Sequence, residues 1–236
     1  MIIFISLTGC IPIQQSVVKP TNPYNPIKTV AVLPMVNNTN DVEGPAYVRN
    51  EFDKKLSENH YSNKSLKDID QLLKDQMGIT LGSQIDMTTP QKLGELLGVD
   101  AVIYGTLIDF DVQISGLYNV KKVRAKFKMV DTKTGEIIWS SGWGVKSETK
   151  SMGAAGEVLA RVAGEMNDGD KQEKEYIPWV TIGSGARDSF TDALVEAVAD
   201  KVVSQALRVP LIRETKEMIK RVMGSLPPGP VPYTKR

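Results

Sequence analysis

The sequence predicts an α/β protein, or an α+β protein, in which helices pack on a mixed sheet that contains a β-hairpin. An apolar strand-like segment near residue 28 is followed by three segments with helical periodicity. A long apolar segment after residue 100 then leads into two segments of alternating polarity, separated by turn-forming residues. This order of one strand, three helices, one strand and a hairpin is typical of helices that cover a sheet.

The first strand and the first two helices are predicted from short motifs. KTVAVLPM predicts a buried strand over residues 28–35. GPAYVRNEFDKKLSEN predicts an amphipathic helix, because three apolar residues recur at four-residue spacing. These residues are Val48, Phe52 and Leu56. SLKDIDQLLKDQMG predicts a second helix, with Ser65 at its N-cap and Gly78 at its end.

The segment TTPQKLGELLGVDAVIYGTLIDFDVQI predicts a third helix and a second strand. Thr89 and Pro90 begin the helix, and Gly98 ends it. The strand starts at Ala101, and VIYGTLI is almost wholly apolar, which indicates burial on both faces. Gly105 within this strand indicates a bulge or a close approach of the backbone.

The hairpin follows in KKVRAKFKMVDTKTGEIIWSSGWGVKSE, where apolar and basic residues alternate and residues 131–135 form the turn. The globular domain is expected over residues 28–209, with an irregular insertion at 150–187. Within the insertion, YIPWVTIGSGAR is expected to cover a sheet edge or to contact a partner. A regular apolar stripe predicts a helix over residues 188–207, and residues 210–236 are expected to form a weak helix and a Pro/Gly-rich tail.

The N-terminus contains the single cysteine of the 236 residues, Cys10, which follows Leu7, Thr8 and Gly9. A bulky aliphatic residue and two small residues before a cysteine resemble the bacterial lipobox, whose cysteine thiol is acylated. Residues 1–9 are apolar but short and lack a basic region, so they are interpreted as a truncated signal peptide. Cys10 is therefore the predicted lipidation site, and several acyl chains would anchor the protein durably.

Residues 10–27 are predicted to be the lipidated cysteine and an extended tether, because prolines recur in this stretch. The residue after Cys10 is Ile11 rather than Asp, which favours sorting to the outer membrane in a bacterium with two membranes. No other stretch approaches 18 consecutive apolar residues, so no transmembrane helix is predicted.

Composition and motifs argue against several other functions. The net charge of +1 gives no electrostatic reason to expect nucleic-acid binding. One cysteine cannot form a disulfide within the chain, and no cofactor or metal site is predicted. The single histidine, His60, is expected at the surface or at a helix end, because it has no second His or Cys as a partner. The segment GSGAR at 183–187 lacks the Lys-Ser/Thr of a phosphate-binding loop.

Two charged groups on the predicted strands remain open to two interpretations. Asp109 and Asp111 point to one face, and a solvated edge is favoured there over a cation site. The hairpin carries a basic cluster, for which a solvated strand face is favoured over contact with an anionic envelope polymer or a partner. Its members are Lys121, Lys122, Arg124, Lys126 and Lys128. No acid–base or nucleophile constellation is visible, so no enzyme and no catalytic residue are predicted.

Three motifs, VAVLPMVNNT, LGELLGVDAVIYGTL and MVDTKTGEIIWSSG, resemble in order and spacing the TolB amino-terminal domain and CsgG-like curli-secretion lipoproteins. They resemble more closely a family of bacterial outer-membrane lipoproteins of unknown function, which also end in a Pro/Gly-rich tail. The resemblance covers roughly residues 24–232 and fits residues 150–187 poorly. It implies a three-layer body like the TolB amino-terminal domain and a role in an envelope transport or assembly system. Cys10 is the one functional residue that it carries over.

The expected function is that of a palmitate-bearing lipoprotein on the outer membrane, facing the periplasm. It would act as a non-enzymatic binding or assembly component, with the membrane and other envelope proteins as partners, and a homodimer is one expected assembly. The alternatives are a subunit or accessory of a CsgG-type secretion channel and an activator of peptidoglycan synthesis.

Overall fold

In a computed structural model of the chain, the structure describes residues 21–114, 118–150, 177–183 and 211–230. The strands within these ranges are β1 (Thr29–Val32), β2 (Val36–Asn37), β3 (Ser62–Asn63), β4 (Ala101–Ile114), β5 (Tyr118–Asp131), β6 (Ile137–Lys150) and β7 (Trp179–Gly183). The helices are α1 (Gly44–Ser57), α2 (Leu66–Met77), α3 (Pro90–Leu97) and α4 (Ile212–Gly224), with a 3-10 helix over Gly82–Met87.

All seven strands belong to one mixed sheet, in the order β3-β1-β4-β5-β6-β7, and β2 continues the edge of β4 beyond β1. Strands β3, β1 and β4 are parallel, whereas β4, β5 and β6 are antiparallel neighbours. The hairpin of β5 and β6 places Met129 opposite Trp139, after a register shift between Met129 and Val130. The predicted fold class, a mixed α/β architecture with a hairpin and helices on the sheet, is confirmed.

Helices cover both faces of the sheet, and each face has its own core. Helices α1 and α4 pack on one face, where the rings of Phe52 and Phe127 stack with their centroids 4.2 Å apart. The other face of β1 and β4 packs against α2, α3 and the 3-10 helix, each of which contributes apolar residues that are at most 2% exposed. These residues include Ile69, Leu73, Ile85, Leu93 and Leu97. Adjacent residues of β1 alternate between the two cores, as the strand geometry dictates.

The three N-terminal helices form where they were predicted. Gly78 and Gly98 adopt left-handed backbone at the ends of α2 and α3, with φ of 67° and 65°. The Thr89 hydroxyl accepts a hydrogen bond from the backbone N–H of Lys92 and caps α3. Ser65 occupies the N-cap position of α2, but its side chain makes no capping hydrogen bond.

The bulge in β4 does not lie at Gly105. The register against β5 shifts between Leu107 and Asp109 instead. Gly105 fulfils the other expectation, a close approach, because a Cβ there would lie 2.9 Å from the Met35 side chain and 3.1 Å from that of Phe127.

The helix predicted beyond residue 210 is present as α4, and its Met218, Ile219 and Val222 are at most 1% exposed. The segment 150–187, expected to be irregular, contains the regular strand β7. This strand covers the edge of β6 from Gly144 to Glu148, as the edge interpretation expected. The helix predicted over residues 188–207 lies outside the described residues.

Candidate functional site

The two ends of the described chain meet at one end of the sheet, which we call the tether pole. The backbone N–H of Asn22 donates to the carbonyl of Gly229 at 2.9 Å, and Gly229 in turn donates to Asn59 at 2.9 Å. A Cβ at position 229 would lie 2.2 Å from the carbonyl oxygen of His60. Glycine is therefore required where the C-terminal segment crosses the turn after α1.

Side chains fasten this junction. The amide of Asn25 donates to the Tyr61 hydroxyl at 3.1 Å and to the carbonyl of Pro228 at 3.0 Å. The Tyr61 hydroxyl donates to the carbonyl of Pro227 at 2.7 Å. Tyr61 is 5% exposed, and burial raises its pKa, although the hydrogen bond from Asn25 acts in the opposite direction. Residues 22–25, predicted to belong to the extended tether, are thus held against the folded body.

Asp100, the residue before β4, connects β4 to the start of β1 at the tether pole. Its carboxylate accepts hydrogen bonds from the N–H of Lys28 at 3.0 Å and of Thr29 at 2.9 Å, and from the Thr29 hydroxyl at 3.0 Å. Burial acts to raise the pKa of Asp100, but the hydrogen bonds from Thr29 and Lys28 outweigh it and hold the pKa below its usual value. The hydroxyl of Thr132 donates to the carbonyls of Val99 and Asp100, at 2.8 Å each.

The topology explains why these groups converge. Because β1 and β4 are parallel, they start at the same end of the sheet, and antiparallel pairing brings the end of β5 there as well. Helices α1 and α4 also end at this pole. The Trp139 indole N–H donates to the hydroxyl of Ser225 at 3.1 Å, which ties the start of β6 to the end of α4.

His60 was expected at the surface or at a helix end. It lies just after the end of α1, but it is buried. It is 7% exposed and, among the described residues other than glycine, has the one positive φ, 69°. The C-terminal segment that crosses this turn explains its burial. Since that segment is more than 160 residues away in sequence, the local pattern around His60 could not indicate it.

The two aspartates of β4 do not meet as metal ligands. Asp109 lies 2.5 Å from the guanidinium of Arg124 and pairs with it across the strands. Asp111 is exposed and lies opposite Lys122. In the described ranges no three His, Cys, Asp or Glu side chains are grouped as ligands for a metal ion.

The basic cluster of β5 is not one solvated face. Lys121 lies opposite Ser147, which bonds to Glu214 of α4 and so belongs to the helix-covered face. On the other face, Arg124 is 13% exposed and its guanidinium lies 5.0 Å from the ring centroid of Trp179. Aromatic rings thus line this face next to the cations, which the sequence period alone did not indicate.

Two further aromatic contacts complete that face. The ammonium of Lys122 lies 6.0 Å from the Trp179 ring, and that of Lys128 lies 4.7 Å from the ring of Tyr104. Burial, with a contribution from the charge of Asp86, raises the pKa of Tyr104 to about 12. Of the segment GSGAR, the structure describes Gly183, the last residue of β7.

Sequence reasoning missed an ion pair between buried Arg49 and half-exposed Asp70. The guanidinium of Arg49 donates to both carboxylate oxygens of Asp70, at 2.7 and 2.9 Å, and also to the carbonyl of Val32 at the end of β1. Burial lowers the pKa of Arg49, and the charge of Asp70 opposes this shift. Arg49 of α1 thus connects this helix to α2 and to the end of β1. Its position in an amphipathic helix does not indicate this role.

The predicted lipidation residues Cys10, Leu7, Thr8 and Gly9 lie outside the described residues, so their roles stay predictions. No helix in the described part of the chain combines the length and the apolar character that crossing a bilayer requires.

Comparison with known proteins places most of the chain in one family. Residues 20–168 match the family described as "Putative lipoprotein GNA1162-like". The "Putative lipoprotein NMB1124/NMB1162" of Neisseria meningitidis serogroup B is 28% identical over 140 residues, which cover 58% of this chain and 65% of the relative. The matched region thus spans less than two thirds of that relative's length.

Solved structures with related coordinates include lipoprotein GNA1162 from Neisseria meningitidis, at 26% identity and a TM-score of 0.49 over 59% of this chain and 97% of that one. The C-terminal domain of LpoB from Salmonella enterica matches at 20% identity and a TM-score of 0.36, over 50% of this chain and 81% of that one. The resemblance to TolB and CsgG-like proteins stays a prediction. Because the family match covers more than half of the 236 residues, the chain belongs to the GNA1162-like family of lipoproteins.

Proposed function

We propose that the protein is anchored to the outer membrane through acyl chains on Cys10 and faces the periplasm. There it acts as a non-enzymatic binding or assembly component of an envelope system. The observation that carries this proposal is the matched lipoprotein family, whose region begins at residue 20, just after the expected lipidation site. Proteins of a lipoprotein family are anchored to an envelope membrane by attached lipid, and Cys10, the one cysteine of this chain, is the residue expected to carry it.

The tether pole supports the anchoring part of the proposal. The chain that leads back to Cys10 departs from Asn22, which is hydrogen-bonded to Gly229. A pull on the lipid would therefore act on a fastened junction rather than on the end of β1. Such a junction suits a protein that is held to a surface by its N-terminus.

Substitution of the cysteine tests anchoring. Metabolic labelling with an alkyne palmitate should label the wild type but not Cys10→Ser, and Cys10→Ser should leave the membrane fraction. Ser16→Ala, a substitution in the same tether, serves as the matched control and should be labelled like the wild type. Labelled Cys10→Ser, or its retention on membranes after a salt wash, would disprove acylation at this residue.

The outer-membrane part has its own test. If Ile11 allows sorting to the outer membrane, Ile11→Asp should move the labelled protein to the inner membrane on a density gradient. An unchanged distribution of Ile11→Asp would contradict the sorting argument while leaving lipidation intact.

The non-enzymatic part is supported by the contacts of the groups whose pKa values are shifted. Asp53, for which burial raises the pKa, accepts a hydrogen bond from Asn63, and Asp100 joins two strands. Arg49 and Tyr61 likewise serve packing contacts between elements. Perturbed groups at catalytic sites are normally directed at a substrate cleft, whereas the hydrogen bonds of these four groups go to neighbouring elements of the fold.

The binding part is tested by crosslinking from a position remote from the anchor. Val42 is 87% exposed in the loop between β2 and α1. A photo-crosslinking amino acid at this position in living cells should yield a discrete adduct with an envelope protein, and the same probe at exposed Lys92 serves as the control. Equal adducts from both positions would indicate non-specific proximity. The homodimer and the two alternative functions stay predictions.

A further inference from the structure

Three large apolar side chains are exposed at the tether pole. Tyr24 is 92% exposed, Ile137 61% and Ile138 42%. Tyr24 stands between Asn22 and Asn25, both of which are bonded to the body. The backbone on either side of Tyr24 is thus fixed, so its ring is held outward.

The two isoleucines are directed outward by an irregularity in the hairpin. Val130 pairs with Ile137, whereas the preceding residue Met129 pairs with Trp139, so Ile138 is an extra residue in β6. Because of this bulge, the strand turns Trp139 inward onto the core and leaves two consecutive isoleucines outside. Exposed apolar residues grouped at one end of a molecule are candidates for contact with a membrane or a partner.

A chain of hydrogen bonds places the isoleucines and the start of the described chain on the same pole. Lys28 donates to Asp100, and Thr132 donates to the carbonyl of Asp100. The backbone N–H of Asp131 donates to the carbonyl of Glu136, the residue before Ile137. The exposed apolar residues therefore belong to the end of the molecule from which the chain leads back to Cys10.

The tether is short enough to keep this pole near the membrane. Cys10 and Thr21 are separated by about 11 residues, which span at most roughly 40 Å when fully extended. We propose that the tether pole rests on the lipid bilayer, with Tyr24, Ile137 and Ile138 in the headgroup region. This inference rests on the proposed acylation of Cys10.

The chemistry of the pole fits a lipid surface. A tyrosine ring with an apolar body and a polar hydroxyl suits the boundary between headgroups and acyl chains. The exposed charges near the isoleucines are of both signs, Lys133 and Glu136. Contact should therefore depend on apolar insertion more than on the fraction of anionic lipid.

Site-specific fluorescence tests the orientation. Cys10 is the single cysteine and would be acylated, so an introduced cysteine is the one free thiol of the lipidated protein. Ile138→Cys is labelled with an environment-sensitive fluorophore and reconstituted in phosphatidylethanolamine/phosphatidylglycerol vesicles, with or without a doxyl-labelled lipid as quencher. Val42→Cys is the matched control, because it is an exposed aliphatic position beside the start of α1, a helix of about 20 Å whose other end lies at the tether pole.

The expected result is a blue shift and quenching by the doxyl lipid at position 138, with neither at position 42. A water-exposed probe at 138 on protein that floats with vesicles would overturn the orientation while leaving the anchor intact. Failure of the full-length protein to float would instead refute the anchor. A blue shift that doxyl lipid does not quench, and that grows with protein concentration, would assign this pole to contact between copies and overturn the proposal.

A second variant checks that the isoleucines themselves make the contact. Ile137→Ser with Ile138→Ser should abolish the quenching by doxyl lipid of a fluorophore attached to Tyr24→Cys in the same vesicles. Far-ultraviolet circular dichroism should stay unchanged, because both isoleucines are already exposed. Persistent quenching at position 24 would show that the isoleucines do not hold the pole on the bilayer.

Discussion

The Tyr61 hydroxyl donates a hydrogen bond to the carbonyl of Pro227 at 2.7 Å. This contact joins the turn after α1 to the segment after α4, and the same hydroxyl accepts a hydrogen bond from Asn25. One side chain thus connects three parts of the chain that are remote in sequence. The stability of the tether pole should depend on it.

Removal of this hydroxyl should open the junction locally. Tyr61→Phe should cost about 1 kcal/mol, because the Pro227 carbonyl and the Asn25 amide each lose a partner. Hydrogen exchange followed by mass spectrometry should show faster exchange over residues 22–29 and 225–229, while β4 and β5 exchange as in the wild type. Uniformly faster exchange would mean that the junction opens together with the whole fold.

Asp100 should make stability dependent on pH in the acid range. Its carboxyl has a usual pKa of 3.8, and hydrogen bonds from Thr29 and Lys28 hold the folded-state value lower. The folded state therefore gains stability from the ionised form above about pH 4, and this gain is lost as the pH falls through the folded-state pKa. Because Asp100 is partly exposed, the effect should be modest.

Asp100→Asn isolates this contribution, because the amide oxygen can still accept one hydrogen bond. Urea unfolding at several pH values should show a smaller loss of stability for Asp100→Asn than for the wild type between about pH 5 and about pH 2. Parallel curves for the two proteins would show that Asp100 does not contribute.

The contact between α3 and the hairpin turn should not tolerate a methyl group. A Cβ at Gly94 would lie 2.3 Å from the Cβ of Thr132. Gly94→Ala should therefore destabilise the fold by about 1–3 kcal/mol in thermal or urea unfolding. Gly224→Ala at the end of α4 is the matched control, because nothing lies within 4 Å of its Cβ position, and it should be neutral or slightly stabilising.

Among the charged residues of the N-terminal helices, substitution of Arg49 should lower the stability of the fold most. Arg49→Ala leaves the carbonyl of Val32 without two hydrogen bonds and removes the ion pair with half-exposed Asp70, so a loss of about 2 kcal/mol is expected. Arg49→Lys should recover little, since an ammonium cannot reproduce the forked geometry. Lys54→Ala, which removes an exposed ion pair with Glu51, should change stability by less than about 0.5 kcal/mol.

The elements that the sequence predicts well are those with a local period. The spacing of Val48, Phe52 and Leu56 determines the buried face of α1, and the alternation along β5 determines which side chains meet α1 and α4. The turn positions with positive φ are predictable as well, because this backbone conformation is a local requirement that favours glycine. They are occupied by Gly78, Gly98 and Gly135.

The features that could not be predicted depend on distant partners. Arg49 is buried because β1 ends beneath it, and His60 is buried because Gly229 crosses it. The burial of α4 could not be predicted for a related reason. This helix is short and highly charged, and it is stabilised by a sheet face formed elsewhere in the chain.

The hydrogen bond between Asn25 and Pro228 joins residues 203 positions apart. A contact of this span cannot form while the C-terminal segment is still within the ribosome or a translocation channel. Until Pro228 emerges, Tyr61 has no acceptor at Pro227, and β5 and β6 lack the helix that covers them. The segment that precedes β1 is therefore made early but is fastened to the body only after Pro228 has emerged.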